Sequence, residues 1–400
     1  MHHLLLSAAV AALLATTAVA GPFDRPSDLP FRAPQFDRIR DSDFQPAFEE
    51  AMRQDRAEIS AIANNAAAPT FDNTIIALEK SGRMLDRVSS VFFALTGANT
   101  NDTLEKIETT EAPKLSELQD SVYLDPKLFA RVEAIYEKRG ALGLDAQSQQ
   151  LVKVTWEAFV HAGARLSAAD RTRLMQINSR LASLSTDFQQ KLLAATKAGA
   201  LVVSDPADLA GLNPAAIAAA SEAAKSRGLT GKWVVPLQNT TQQPALEDLS
   251  KREIRQKLFE NSWTRSEKAD ANDTRATVLE IAALRAEKAA LLGYPNYAAY
   301  TLTDQMAKTP SAVEAFVAQL VGPTRARAAL EAADIQAQID KDGGGFKLSP
   351  WDWERYSEEV RKAKYDLNED EIKPYFELNN VLQNGVFYAA NQLYGVTFKE

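Results

Sequence analysis

Residues 167–193 read SAADRTRLMQINSRLASLSTDFQQKLL. Leu174, Ile177, Leu181, Leu184 and Phe188 alternate steps of three and four, and Leu192 continues the series. At 3.6 residues per turn that spacing puts them on one stripe of an α-helix. The stripe is narrow, as in a helix paired with a neighbour along a seam. Ser167, with Asp170 three residues on, supplies a capping pair at the start.

The same period extends in both directions. In 72–97, Leu78, Leu85, Val88, Phe92 and Leu95 share a face, and Gly97 is placed as a stop. Helical spacing resumes near Asp248 and runs through Val278, Ile281, Leu284 and Leu291 to a break at Gly293-Tyr294-Pro295. Thr309, with Pro310 in the first helical position, opens another helix. Leu382, Val386, Ala389 and Leu393 mark a buried helical stripe ended by Gly395. Only Ala200–Val203 and Lys232–Leu237 read as short strands, and the Ala-rich stretch 209–227 between them reads as helix. The expected fold is therefore mainly α, with a small β insertion near 200–237. No internal repeat is visible, which excludes a solenoid.

The chain has 400 residues, 45 Lys+Arg against 53 Asp+Glu, and no cysteine. It is long enough to bury a sizeable core. Its basic residues are scattered, so the footprint of a nucleic-acid binder is missing. Without cysteine there are no disulfides, no thiol catalysis and no thiolate metal site. Leu4–Ala15 is apolar and Ala18-Val19-Ala20 has the small-x-small form of a signal-peptidase site. The expectation is export, to the periplasm, of a product that begins at Gly21 and is not held in the membrane. Residues 21–40 are Pro-rich and aperiodic and read as an extended lead-in.

Chemistry-bearing patterns are few. The histidines are His2, His3 and His161. His161 alone cannot complete a zinc sphere of about three protein ligands and a water, and it reads as a helix-end histidine. There is no Gly-x-Ser-x-Gly elbow for a nucleophilic serine. Asp366, Asn368, Asp370 and Glu377 mimic a calcium loop, but Glu371 stands where that loop needs glycine. An N-cap at Asn368, with Glu371 reaching back, accounts for the run better. Gly343-Gly344-Gly345 lacks the Lys-Ser/Thr of a phosphate loop and reads as a turn. Trp351, Trp353 and Tyr356 could stack on a ligand. Trp353, Tyr356 and Val360 also share a helical face, so core packing is the preferred account.

Several stretches together resemble one family. AEKAALLGYPNYAAYTLTDQMAKT at 286–309, the aromatic run SPWDWERYSEEVRKAKYDLNEDEIKPYFELNN onward over 349–400, and IRDSDFQPAFEEAMRQ at 39–54 are similar, in that family's order, to parts of the thimet oligopeptidase family of zinc metallopeptidases. Within it they resemble bacterial peptidyl-dipeptidase. The resemblance implies a two-lobed helical zincin body with a channel for short unfolded peptides. It also implies zinc held by a His-Glu-x-x-His helix and a later glutamate, in the part of the family pattern that follows the equivalent of Glu400.

No catalytic, metal or substrate-binding residue of that set can be assigned here. The expected layout is a signal peptide at 1–20, a lead-in at 21–40, a helical region at 41–285, and at 286–400 the start of a catalytic region that stops before the zinc site. Such a chain is expected to bind no zinc and to be inactive alone. The alternative is a noncatalytic exported helical module that binds peptides.

Overall fold

A computed structural model describes residues 21–365 and 369–399, with side chains at all of them except 369 and 370. The signal-peptide reading of 1–20 lies outside the described residues. Helices dominate. They run in the order α1 (Asp41–Ala63), α2 (Ala77–Lys80), α3 (Arg83–Ala98), α4 (Asp102–Tyr123), α5 (Pro126–Lys138), α6 (Ala146–Ala162) and α7 (Ala168–Ala198). Strands β1 (Leu201–Val203) and β2 (Trp233–Val235) flank α8 (Pro214–Lys225). Then come α9 (Asn239–Asp248), α10 (Arg252–Trp263), α11 (Arg275–Leu291), α12 (Tyr297–Leu302), α13 (Pro310–Lys341) and α14 (Trp353–Tyr365). The short α15 (Glu369–Ile372), α16 (Leu378–Asn380) and α17 (Tyr388–Tyr394) follow. The mainly α expectation with a small sheet therefore holds.

The chain forms two compact units, one from Met1–Gln190 and Ala276–Thr303, the other from Lys191–Arg275 and Asp304–Glu400. In the first, α1, α3 and α4 close on a phenylalanine cluster. Phe44, Phe48 and Phe92 are fully buried, and the Phe92 ring lies 5.2 Å from Phe44 and 5.1 Å from Phe48, edge-on to both. Phe23, from the lead-in, joins them at 5.3 Å from Phe44, so that segment lies on the body. A second core gathers Ile75, Leu128, Val132, Val152 and Phe159 under α5 and α6.

α11 lies beside α7 and antiparallel to it, joined by polar pairs. Arg173 pairs with Glu287 at 2.6 Å, Arg180 with Glu280 at 2.6 Å, and the Thr277 hydroxyl donates to Asp187 at 3.1 Å. Leu174, Ile177 and Leu184 are buried along the seam. The cap at Ser167 is present, its Oγ accepting from the Asp170 N–H at 3.2 Å.

In the second unit β1 and β2 pair antiparallel, Leu201 opposite Val235 and Val203 opposite Trp233. Their apolar side chains pack with Leu209, Ala245, Leu246, Leu249 and Leu258. Thr309 caps α13 as read, accepting from the Ala312 N–H at 3.3 Å. The glycine triplet is a turn, with Gly343 and Gly345 at φ +73° and +64°.

Three sequence expectations are corrected. The apolar run in 72–97 is not one helix: a π-helical segment, Phe71–Ile76, leads into α2, and Gly82 at φ +69° separates α2 from α3. Gly97 lies inside α3, which ends at Ala98. The run from Asp248 to Leu291 is split into α10 and α11, and Val278 is exposed. The stripe Leu382, Val386, Ala389 and Leu393 is not buried among the described residues, although Gly395 closes its helix in the left-handed region. Periodicity tells which residues share a face, but not whether a turn interrupts them or a partner covers them.

Phe92→Ala should lower the stability of the first unit by about 3–5 kcal/mol, since it empties a fully packed aromatic site. The check is the urea midpoint followed by near-ultraviolet circular dichroism. A loss below about 1 kcal/mol would mean that neighbouring rings collapse into the space.

Candidate functional site

His161 is the penultimate residue of α6, two positions before Gly163 closes the helix at φ +106°. Its ring stacks on Tyr300 at 4.1 Å and 7°, meets the edge of Tyr294 at 6.3 Å, and brings Nδ1 to 3.4 Å from the Thr303 hydroxyl. A face covered by tyrosine is a packing surface. Among the described residues no three His, Asp or Glu side chains converge in a way that could hold a metal ion.

Behind Tyr300 lies a buried polar chain that sequence reasoning missed. Asp120 of α4 accepts from the Asn178 amide at 2.7 Å, and the Asn178 oxygen accepts from Lys288 of α11 at 2.7 Å. Lys288 Nζ also sits 5.7 Å from the centre of the Tyr300 ring. The second oxygen of Asp120 is buried without a hydrogen-bond partner. Burial therefore pushes this carboxyl up to about 6, against the hydrogen bond from Asn178 and the charge of Lys288. Burial likewise lowers the lysine, opposed by Asp120. The amide between them separates the two charges while satisfying one oxygen and the ammonium. A local clue was the polar Asn178 beside the seam residue Ile177; its partners, 58 and 110 residues away, left none.

In the second unit the aromatic run is organised by charge. Asp352 has no solvent exposure, and it receives Arg252 Nη2 at 2.9 Å and Arg255 Nη2 at 3.1 Å. The Ser349 N–H closes on the same carboxylate at 3.2 Å. Arg255, 2% exposed, spends its remaining donors on the carbonyls of Leu249, Ser250 and Trp351. Arg252 lies over the Phe346 ring at 4.3 Å and 5.4 Å from the Trp351 ring. Tyr356 meets Phe346 at 6.1 Å. Trp351, Trp353, Tyr356 and Val360 are all half-buried. Of the face read as core, Tyr356 packs on Phe346 and lies 5.9 Å from the Arg255 guanidinium, but none of Trp353, Tyr356 and Val360 is fully buried.

The calcium mimic can be followed only at its last residue. Asp366 and Asn368 lie outside the described residues, and so does the proposed cap at Asn368. Glu377 caps α16, accepting the N–H groups of Asn379 at 3.0 Å and Asn380 at 2.7 Å, and those bonds hold its carboxyl below the usual range. A large apolar surface remains open. Val313, Phe316, Val317, Leu320 and Val321 form one exposed stripe of α13, and Tyr375, Phe376, Leu378, Tyr388, Leu393 and Tyr394 are exposed beyond it. None of these clusters joins a nucleophile to a base.

Comparison with known proteins identifies the relatives. Residues 245–400 match the model of peptidase family M3, a stretch that includes Arg252, Arg255 and Asp352. The chain is 52% identical over 379 residues to dipeptidyl carboxypeptidase of Escherichia coli K12, covering 95% of this chain and 56% of that protein. It is 51% identical over 374 residues to the Salmonella typhimurium dipeptidyl carboxypeptidase, covering 94% and 55%. To oligopeptidase A of Escherichia coli it is 27% identical over 375 residues, covering 93% and 55%. The chain spans about half the length of the curated relatives it matches. The resemblance to the thimet oligopeptidase family, and within it to peptidyl-dipeptidases, holds over nearly all of this sequence.

The Asp120 carboxyl gives a pH prediction. Its folded value, about 6, lies above the ordinary value of 3.8 for an aspartate, so the folded state binds the proton first and stability falls as pH rises from about 4 to about 6. Asp120→Asn removes that titration. The urea midpoint of the first unit should then depend less on pH across this window. An unchanged slope would show that Asp120 is not the group responsible.

Proposed function

We propose that this chain forms the helical body of an M3-type metallopeptidase that takes short unfolded peptides and releases dipeptides from their C-termini. The observation that carries the reading is 52% identity to a dipeptidyl carboxypeptidase along 95% of the chain. The matched family implies zinc. The donor set here does not fit zinc: His161 is committed to Tyr300, and no group of three donors converges among the described residues. Nor does a His-Glu-x-x-His pattern occur in the sequence. No step of the reaction is therefore assigned to this chain's residues. On this reading the zinc-binding residues lie in the part of the relatives that the match leaves uncovered, and this chain contributes helical scaffold and substrate-channel wall.

Purified alone, the 400-residue chain should neither release dipeptides from short peptides nor retain zinc near one equivalent after dialysis. The longer product of the same gene, carrying His-Glu-x-x-His, should do both, and chelation should abolish its activity. Chelator-sensitive cleavage by the 400-residue chain would overturn the assignment of chemistry elsewhere. A gene without that motif would favour the noncatalytic peptide-binding module. We also propose export: N-terminal sequencing of the periplasmic product should begin at Gly21, and cytoplasmic material that retains Met1 would refute it.

A further inference from the structure

We propose that a cleft of about 250 Å³ between the lead-in and α3 binds a small organic carboxylate with a short apolar body. The proposal goes beyond the peptidase reading and does not depend on it. The cleft is lined by Arg25 and Arg32 on one side and by Asp86, Ser90 and Val91 of α3 on the other, with Pro34 and Ile39 supplying apolar wall.

The wall made by the lead-in is held in place. The Arg87 guanidinium donates to the Phe23 carbonyl at 2.9 and 3.0 Å and to that of Asp24 at 3.3 Å, while the Phe23 ring is 3% exposed in the phenylalanine core. Arg25 and Arg32 behave differently from the other cleft arginine. Neither makes a side-chain hydrogen bond or ion pair with any described residue, and neither closes on Asp86, although all three line the same space. Three arginines and one carboxylate thus line the cleft, and only Arg87 has its guanidinium engaged.

The turn that presents Arg32 is strained. Phe31 and Arg32 both take positive φ, 58° and 57°, a left-handed conformation that residues other than glycine rarely adopt. Packing does not offset it, because Phe31 is wholly exposed. The turn is kept by the Arg32 N–H bond to Leu29 at 2.9 Å and the Ala33 N–H bond to Pro30 at 3.2 Å. Strain that packing does not repay is commonly found where a side chain is held for a ligand. Here that side chain is a guanidinium, whose planar fork matches a carboxylate. The volume lies just under the range of roughly 300–1,000 Å³ for drug-sized ligands, so the ligand is small.

Isothermal titration of the 400-residue chain separates the sources of such a carboxylate. The probes are the dipeptide leucyl-valine, its C-terminal amide, isovalerate and inorganic phosphate. Leucyl-valine should bind and its amide should not. Isovalerate matching the dipeptide would support the stated class with the carboxylate and hydrocarbon as its whole recognition; isovalerate failing would support a dipeptide as the source. Phosphate binding as tightly as the dipeptide would overturn the apolar part of the proposal.

Arg25→Gln and Arg32→Gln should each weaken binding by about tenfold, as expected for a lost charge-assisted hydrogen bond. Arg38→Gln, outside the cleft, should not. Both cleft arginines are exposed and unpartnered, so unchanged circular dichroism is expected and separates lost binding from lost fold. No heat with any probe at millimolar concentration, or binding unaffected by the two cleft variants, would overturn the proposal.

Discussion

The carboxylate of Asp352, sealed between Arg252 and Arg255, is the contact on which the second unit turns. It joins α10 to the start of α14 across about a hundred residues of sequence, in a chain with no cysteine to do so covalently. A buried charge is tolerated only when it is paired and its remaining hydrogen-bonding groups are met. Here both carboxylate oxygens and nearly every guanidinium donor of Arg255 are met, several by the backbone carbonyls of turns. Removing one partner from such a site costs about 3–5 kcal/mol because the other charge is left buried. The aromatic rings of Phe346, Trp351 and Tyr356 lie against this centre.

The first unit uses the same chemistry on a smaller scale. Arg131, 7% exposed, donates to the carbonyls of Asn65 and Ala67 and to the Asn73 side chain, stitching the turn before α2 onto α5. Arg87 does this for the lead-in. A planar cation with several fixed donors can satisfy loop carbonyls that would otherwise be lost to burial. Arg25 and Arg32, which border the cleft beside the lead-in, make no such bonds among the described residues.

Similarity to peptidase family M3 and the lack of three converging metal donors among the described residues are compatible once scaffold and chemistry are treated separately. Fold and function are carried by different residues, so likeness in a helical body does not by itself identify a catalytic side chain. The exposed stripe of α13 belongs to the same picture. Contiguous apolar surface of that kind usually marks a place where other polypeptide or a ligand is received.

The helical class, the two short strands, the caps at Ser167 and Thr309 and the glycine stop at Gly395 were legible in the sequence because each depends on residues within about four positions of one another. So were the lack of thiol chemistry, which is a matter of composition, and the family, which rests on ordered runs such as 39–54 and 286–309. Tertiary structure alone decided the rest. The break at Gly82 was invisible because the apolar period continues through the turn. Asp120, Asn178 and Lys288, like Arg255 and Asp352, met only after folding had brought together residues about 60 to 110 positions apart, and no local pattern encodes a partner at that distance. The stripe over 382–393 was readable as a face, but whether a face is covered depends on what packs against it, and that is a property of the folded chain.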